Sequence, residues 1–345
     1  MKVHIANFYG SRNKGDELML RGLIGALTSN GAEVTSVSTM FDKAVDAQTL
    51  GNVNIVQSLS QCSRRRWGKV IMLLSYILLR LKCEKIARRI LVAYDQNTSE
   101  TFKAIQEADA LVTTGGPFFC ESVKRFLLKY PSLNYVTCFM EPLFAYSKNI
   151  PFSIVGQSFS ELSFRLSRRE FANILNKARY VAGRESSSCD KMVKSIGTSI
   201  SVNVVPDLAL YDRLHGIGRL SSARGNSICV NVRRVSERGL EYLFGARCGN
   251  ATEMQQKYER IISDALANLV QENRSTRIVF ISQAVNNDAL VAARVAEASG
   301  IEAWQYEIVD ESITLARFLE ILSMCRMAIT TRYHSMIMAM RTNTP

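Results

Sequence analysis

Arg332 and His334 stand two residues apart where an apolar run gives way to a polar one, within the stretch Met324 to Met340. Met327 to Thr330 reads as a short buried strand, and Thr330, Thr331 or Ser335 can cap a helix that follows, so the pair falls at a strand-to-helix junction. Open parallel α/β sheets bind ligands at such junctions, outside the carboxyl ends of strands and at the amino ends of helices. A guanidinium there can fork onto a carboxylate or phosphate, and an imidazole can move a proton near neutral pH. Two readings of these residues stand: a site that holds a small anion and does acid-base chemistry on it, or a satisfied surface arginine beside a half-buried histidine.

The elements that must position the pair are strands alternating with helices. Lys2 to Phe8 alternates as a first strand should, and the glycine loop Gly10 to Asp16 leads into a helical pattern from Glu17 to Leu27. Such a loop presents backbone N–H groups to anions, but it lacks the lysine of a Walker A loop and the spacing of a dinucleotide fingerprint. Asp16 can equally be a helix cap. Glu33 to Ser38 reads as a second strand. Ala108 to Phe119 contains a buried strand ending at Gly115 and Gly116, which would let a ligand approach the backbone. Pro151 to Ser158 ends in Gly156 followed by Gln157 and Ser158, and Ala178 to Ser188 places Arg184 at a strand end with serines able to cap the helix Cys189 to Ile196. Val202 to Val205 leads to Pro206 and Asp207. A glycine or polar residue thus closes each strand on one edge of the sheet.

A glycine- and serine-containing linker at 212–226 separates this half from a second, which opens with the strand Ser227 to Arg233. A long amphipathic helix from about Thr252 to Glu272 follows, then the strand Arg277 to Ser282, helices over Asp288 to Ser299 and Leu315 to Cys325, and the Arg332–His334 junction. The pattern predicts an α/β protein of two doubly wound Rossmann-like domains, 1–211 and 227–345, facing each other across a cleft.

Composition bounds the function. With 345 residues, 47% hydrophobic and 21% charged, the chain buries a sizeable core. The start is a strand rather than a signal peptide, which predicts a cytoplasmic protein. Eight scattered cysteines without a C-x-x-C pair predict reduced thiols, with neither disulfides nor a metal site. Between Cys62 and Leu91 nine basic residues stand against the single acid Glu84, supplying +8 of the net +12. The segment over about 64–91 is expected to be a basic apolar helix; its apolar core, Val70 to Leu81, is too short to span a bilayer. It reads either as a core helix with a solvated basic end or as an amphipathic helix on an anionic membrane surface. The basic residues are not interleaved with stacking aromatics, so nucleic acid is not an expected partner.

Taken together, the motifs resemble the polysaccharide pyruvyl transferase family. The resemblance rests on chain order: Tyr9 to Asp16 as Tyr-Gly-x-x-Asn-x-Gly-Asp, the Ala108 to Gly116 strand with Gly-Gly, Gly156-Gln157, Arg184-Glu-x-Ser, Pro206-Asp207, and Thr331-Arg-x-His334. It implies a GT-B-like architecture and transfer of a pyruvyl group from phosphoenolpyruvate, the donor substrate, to a sugar as a cyclic ketal, with no cofactor. It implies Arg332 and His334 at the donor, His334 as the acid, Arg233 and Arg184 as further anion contacts, and Asn13, Asp16, Gly115, Gly116 and Gln157 on the acceptor side. An acceptor carried on a membrane lipid would account for the basic segment as a peripheral contact at the inner face of the membrane. Three features depart from the family pattern: Tyr333 in place of Leu, Pro117 in place of a third glycine, and an end at Pro345 before the usual final strand and helix. The last would make the chain a fragment or truncated copy with an incomplete donor pocket. The rival expectations are a GT-B glycosyltransferase using a nucleotide sugar and a non-catalytic scaffold of a polysaccharide-synthesis complex.

Overall fold

The structure is a computed structural model that describes residues 1–116, 134–162, 165–197, 200–211, 224–235, 251–284 and 287–345. Pro117 and most of the expected linker lie outside the described residues. The chain divides into two compact units, Met1–Ser11 with Leu18–Arg213, and Arg12–Glu17 with Leu214–Pro345. The segment that follows the first strand therefore groups with the second unit.

The first unit is built on a seven-stranded, wholly parallel sheet: β1 (Lys2–Phe8), β2 (Glu33–Thr39), β3 (Asn54–Gln57), β4 (Ala110–Thr113), β5 (Phe152–Gln157), β6 (Tyr180–Gly183) and β7 (Asn203–Val204). Their spatial order is β3-β2-β1-β4-β5-β6-β7. The order reverses between β1 and β4, the topological switch of a doubly wound sheet. β1 is buried over six of its seven residues because helices cover both faces of a parallel sheet. Its two polar interior residues are anchored by side-chain hydrogen bonds: Asn7 Nδ2 donates to the Cys138 carbonyl at 2.9 Å, while its Oδ1 is buried with no partner among the described residues, and His4 lies between Ser36 and Glu141. Around the sheet lie α1 (Lys14–Ser29), α2 (Lys43–Leu50), α3 (Gly68–Arg80), α4 (Glu84–Tyr94), α5 (Thr98–Gln106), α6 (Asn134–Ser147), α7 (Arg165–Leu175) and α8 (Ser186–Ile196).

Several local expectations are corrected. The helix after the glycine loop begins at Lys14 rather than Glu17, and its cap is Asn13, whose Oδ1 accepts from the Gly15 amide at 3.1 Å. β3 and α2 lie between β2 and the basic segment, where the sequence pattern gives no element. The basic segment is two helices rather than one, because Lys82 adopts a left-handed conformation (φ 60°) between α3 and α4. No serine side chain caps α8, which starts after Glu185.

The second unit carries a four-stranded parallel sheet of β8 (Ser227–Asn231), β9 (Arg277–Ile281), β10 (Tyr306–Val309) and β11 (Met327–Thr330), in the order β10-β9-β8-β11. The helices α9 (Ala251–Glu272), α10 (Asp288–Ala298), α11 (Leu315–Met324) and α12 (Tyr333–Arg341) complete it. Its core packs Ile228, Val230, Leu266, Ile278, Phe280, Val291 and Val295. β8 and β11 are neighbours in register, Val230 beside Ile329 and Asn231 beside Thr330, so both strands end at one level. The crossover that brings β11 back to β8 makes this pair the switch point of the sheet.

Candidate functional site

The carboxyl ends of β8 and β11 bring Asn231 and Arg233 beside Thr331, Arg332 and His334. Arg332 is the N-cap residue of α12, and His334 lies in its first turn. None of the three expected caps serves α12. Thr331 is drawn back onto the sheet, its hydroxyl 3.0 Å from the Asn231 carbonyl and 3.1 Å from the Tyr258 hydroxyl. Ser335 is turned inward, donating to Gln283 Oε1 at 2.6 Å with Asn231 Oδ1 3.0 Å away. The N-cap residue Arg332 makes no side-chain cap on α12, and a helix amino end is a place where anions are favoured.

Gln283, which follows β9, ties the 12–17 segment into this unit. Its carbonyl accepts from the Lys14 amide at 3.0 Å, and its side-chain amide donates to Asn13 Oδ1 at 3.3 Å. The next turn of chain lies on the histidine: a Cβ built on Gly15 would stand 2.4 Å from His334 Nδ1 and 2.6 Å from its Cβ. Only glycine leaves room for the imidazole in this position. Asn13 and Asp16, expected on the acceptor side in the first half, thus group with His334 in the second unit, because the loop is bound through Gln283.

Two arginines give the site its charge. Arg332 donates through Nε and Nη2 to the two oxygens of Asp288, at 2.8 and 2.7 Å, a bidentate pair in which the carboxylate is buried. Its Nη1 makes no hydrogen bond among the described residues. Arg233 is half-buried and has no carboxylate partner among the described residues. Burial, and then the positive charge of Arg332, push its pKa below the usual guanidinium value, against smaller opposing effects of Asp288 and Tyr258. Two guanidinium charges against one carboxylate leave a net positive site. Burial raises the pKa of Tyr258, which faces it from α9. Asp288, Gln283, Tyr258 and Asn231 are contributions that the sequence reading lacks; the only local signal was that Asn231 and Gln283 are polar residues closing apolar strands.

The remaining candidates belong to the first unit and form a separate group. Arg184 is committed: Nη1 meets Asp207 at 2.7 Å, Nε donates to Ser158 Oγ at 2.6 Å, and Glu185 lies 3.4 Å away. The Gln157 side chain is buried, its amide donating to the Thr114 carbonyl. What approaches the backbone at Gly115 is the neighbouring strand, since a Cβ there would stand 2.7 Å from the Gly156 carbonyl oxygen. Gly116 accepts from the Ser158 amide at 3.1 Å. These residues knit the ends of β4, β5 and β6 together.

The two parallel sheets, with polar side chains at their carboxyl ends, define a GT-B-like α/β protein. Solved structures share that fold over the full length of this chain: Staphylococcus aureus MnaA with UDP (TM-score 0.55, 14% identity, 78% of its chain covered). Two further ones are a putative UDP-N-acetylglucosamine 2-epimerase from Listeria monocytogenes (0.52, 12%, 78%) and the UDP-N-acetylglucosamine 2-epimerase of Rickettsia bellii (0.52, 10%, 78%), each again matching 100% of this chain. The family model for polysaccharide pyruvyl transferase matches residues 13–345, and the chain belongs to that family of transferases.

Proposed function

We propose that this protein transfers the pyruvyl group of phosphoenolpyruvate to two hydroxyls of a sugar in a cell-surface polysaccharide or its lipid-linked precursor, forming a pyruvate ketal and releasing phosphate at the inner face of the membrane. The observation that carries the reading is the half-buried, carboxylate-free Arg233 beside Arg332. An excess positive charge held partly out of water is costly unless an anion completes it. Phosphoenolpyruvate offers two anionic groups, a carboxylate and a phosphate, which suit two guanidinium groups and a helix amino end without a side-chain cap.

The atoms balance with residues of this site. His334, held against Gly15, donates a proton to the methylene carbon of the enol, leaving an oxocarbenium-like centre. One sugar hydroxyl adds there and gives its proton back to the imidazole. Phosphate leaves, and the second hydroxyl closes the ketal, its proton going to the departing phosphate. Arg233 and Arg332 hold the donor's charge while it redistributes.

Calorimetric titration of the protein with phosphoenolpyruvate, with a uridine diphosphate sugar as the competing ligand, tests the reading. Saturable phosphoenolpyruvate binding that weakens by a factor of about ten to a hundred in Arg233→Ala is expected. Binding of the nucleotide sugar alone would assign the site to glycosyl transfer, and binding of neither would overturn a catalytic role.

A further inference from the structure

The helix α3 is apolar nearly all round, yet only one of its faces is buried. Met72, Ser75, Tyr76 and Leu79 point into the first unit's core, where the Tyr76 hydroxyl donates to Glu170 at 2.6 Å and Arg80 Nε lies 3.1 Å from the same carboxylate. On the opposite side Trp67, Val70, Leu74, Ile77 and Leu81 are each between 44% and 66% exposed. Their spacing of three and four residues keeps all five within an arc of about 80° at 100° per residue. A single exposed leucine needs no explanation, but a continuous stripe running the length of a helix does. Its length, thirteen helical residues or about 20 Å, is too short to cross a bilayer core of about 30 Å. Among the described residues no helix is long and apolar enough to cross a membrane.

Cations bracket the stripe. Arg64, Arg66 and Lys69 stand exposed at its amino end, and Lys82 and Lys85 at its carboxyl end. None of these five pairs with an acidic side chain among the described residues. The cations of this segment that do pair, Arg65 with Asp95 and Arg80 with Glu170, use acids from outside it. The segment's own acid, Glu84, is taken by Lys148 at 3.2 Å, which holds its carboxyl below the usual range. The left-handed turn at Lys82 ends α3 there, so the chain turns away and the basic α4 begins at the end of the stripe.

We infer that α3 is a docking face for an anionic lipid bilayer, lying in the plane of the headgroups with the Trp67–Leu81 stripe among the acyl chains and the flanking cations on lipid phosphates. Charge complementarity selects this occupant. A second copy of the chain, meeting the stripe in a two-fold contact, would set each basic rim against another, whereas an anionic surface neutralises both rims and takes the apolar stripe between them. The inference deepens the lipid-linked acceptor reading by naming the surface that would bring the enzyme to its substrate. It is tested without donor or acceptor, so its failure would leave the pyruvyl transfer reading standing.

Sedimentation with large unilamellar vesicles decides it. Vesicles of phosphatidylcholine with about a third phosphatidylglycerol are expected to bind the protein at least about tenfold more tightly than phosphatidylcholine alone, and less well in high salt. Leu74→Glu with Ile77→Glu, both at exposed positions, should abolish sedimentation while leaving the melting temperature unchanged, and Lys82→Glu with Lys85→Glu should lower affinity for the anionic vesicles only. Equal binding to both vesicle types, no binding, or undiminished binding by the double glutamate variant would overturn the inference. So would a wild-type dimer in sedimentation velocity that the same variant converts to monomer, since the stripe would then belong to a second copy.

Discussion

Gly15 and His334 are in such close register that a single methyl group at residue 15 would overlap the imidazole, 2.4 Å from Nδ1. The backbone at Gly15 has an ordinary φ, so the requirement for glycine is one of space rather than of conformation. The ring is therefore oriented by a backbone surface that Gln283 holds through Asn13 and Lys14.

Gly15→Ala is the corresponding test. The clash reaches the histidine's own Cβ, so the ring cannot evade it by rotation alone and must be displaced with part of its turn. Overpacking of this kind costs about 1–3 kcal/mol of stability. Ketal formation should fall at least about a hundredfold if a misplaced acid behaves as such groups generally do, while phosphoenolpyruvate binding, carried by the arginines, should change little. An alanine variant with unaltered turnover would show that the ring's placement does not matter.

The Arg332–Asp288 pair makes a second prediction. Both side chains are nearly buried, and the pair uses two of the guanidinium's three nitrogens. Asp288→Ala leaves a guanidinium uncompensated and should cost about 3–5 kcal/mol in chemical denaturation. Arg332→Lys keeps the charge but loses the fork, and should cost about 1–2 kcal/mol and weaken donor binding as well. The two effects should be coupled in a double-mutant cycle, because the residues share one interaction. Additive losses would mean that Arg332 is held by something else.

Much of this site was legible in the sequence and part of it could not be. The strand-to-helix junction at Arg332 and His334, the arginine after β8 and the glycine loop are local patterns; the first two stand at strand ends as their patterns put them, whereas the loop's helix begins three residues early and the loop groups with the second unit. Asp288, Gln283 and Tyr258 carry no such local mark: Asp288 meets Arg332 across 44 residues and Tyr258 meets Thr331 across 73. Their role comes from the sheet order, which sequence periodicity does not encode. The same limit explains Arg184, a strand-end arginine identical in pattern to Arg233, whose partner Asp207 is brought to it only by the fold. The strands Asn54–Gln57 and Tyr306–Val309 escaped because they are four residues long at or near sheet edges, without an apolar run of their own.

That contrast between the two arginines is itself testable. Arg233 lacks an acid partner and is repelled by Arg332, so Arg233→Ala should leave thermal stability within about 0.5 kcal/mol of wild type, or raise it, while weakening phosphoenolpyruvate binding by a factor of about ten to a hundred. Arg184→Ala strands the buried Asp207 carboxylate and should cost about 3–5 kcal/mol of stability. Calorimetric titration and denaturant unfolding on both variants separate the roles. The reverse pattern would make Arg184 the ligand contact and Arg233 the structural one.

The core of the first unit predicts an acid limit on stability. Glu141 is fully buried on α6, and burial alone would raise its pKa. The opposing influences win: the His4 ring, its Nε2 standing 3.3 Å away, and the hydroxyls of Ser38 at 2.6 Å and Ser58 at 2.8 Å hold the carboxyl below its ordinary value. A carboxylate whose folded pKa is depressed contributes stability that is fully present above its unfolded value, about pH 4.3, and is lost as pH falls through the lower folded value. Stability measured by urea unfolding should therefore decline on the acid side of about pH 4 as Glu141 takes up a proton that the folded state resists. Glu141→Gln has nearly the same shape but no charge to lose, and it replaces one acceptor oxygen by a donor facing Ser38 or Ser58. It should be less stable by about 2–4 kcal/mol at pH 7 and show a shallower decline below pH 4, so that the two unfolding curves converge as the pH is lowered. Parallel curves over that range would place the acid sensitivity in other carboxylates and leave Glu141 as a neutral part of the core.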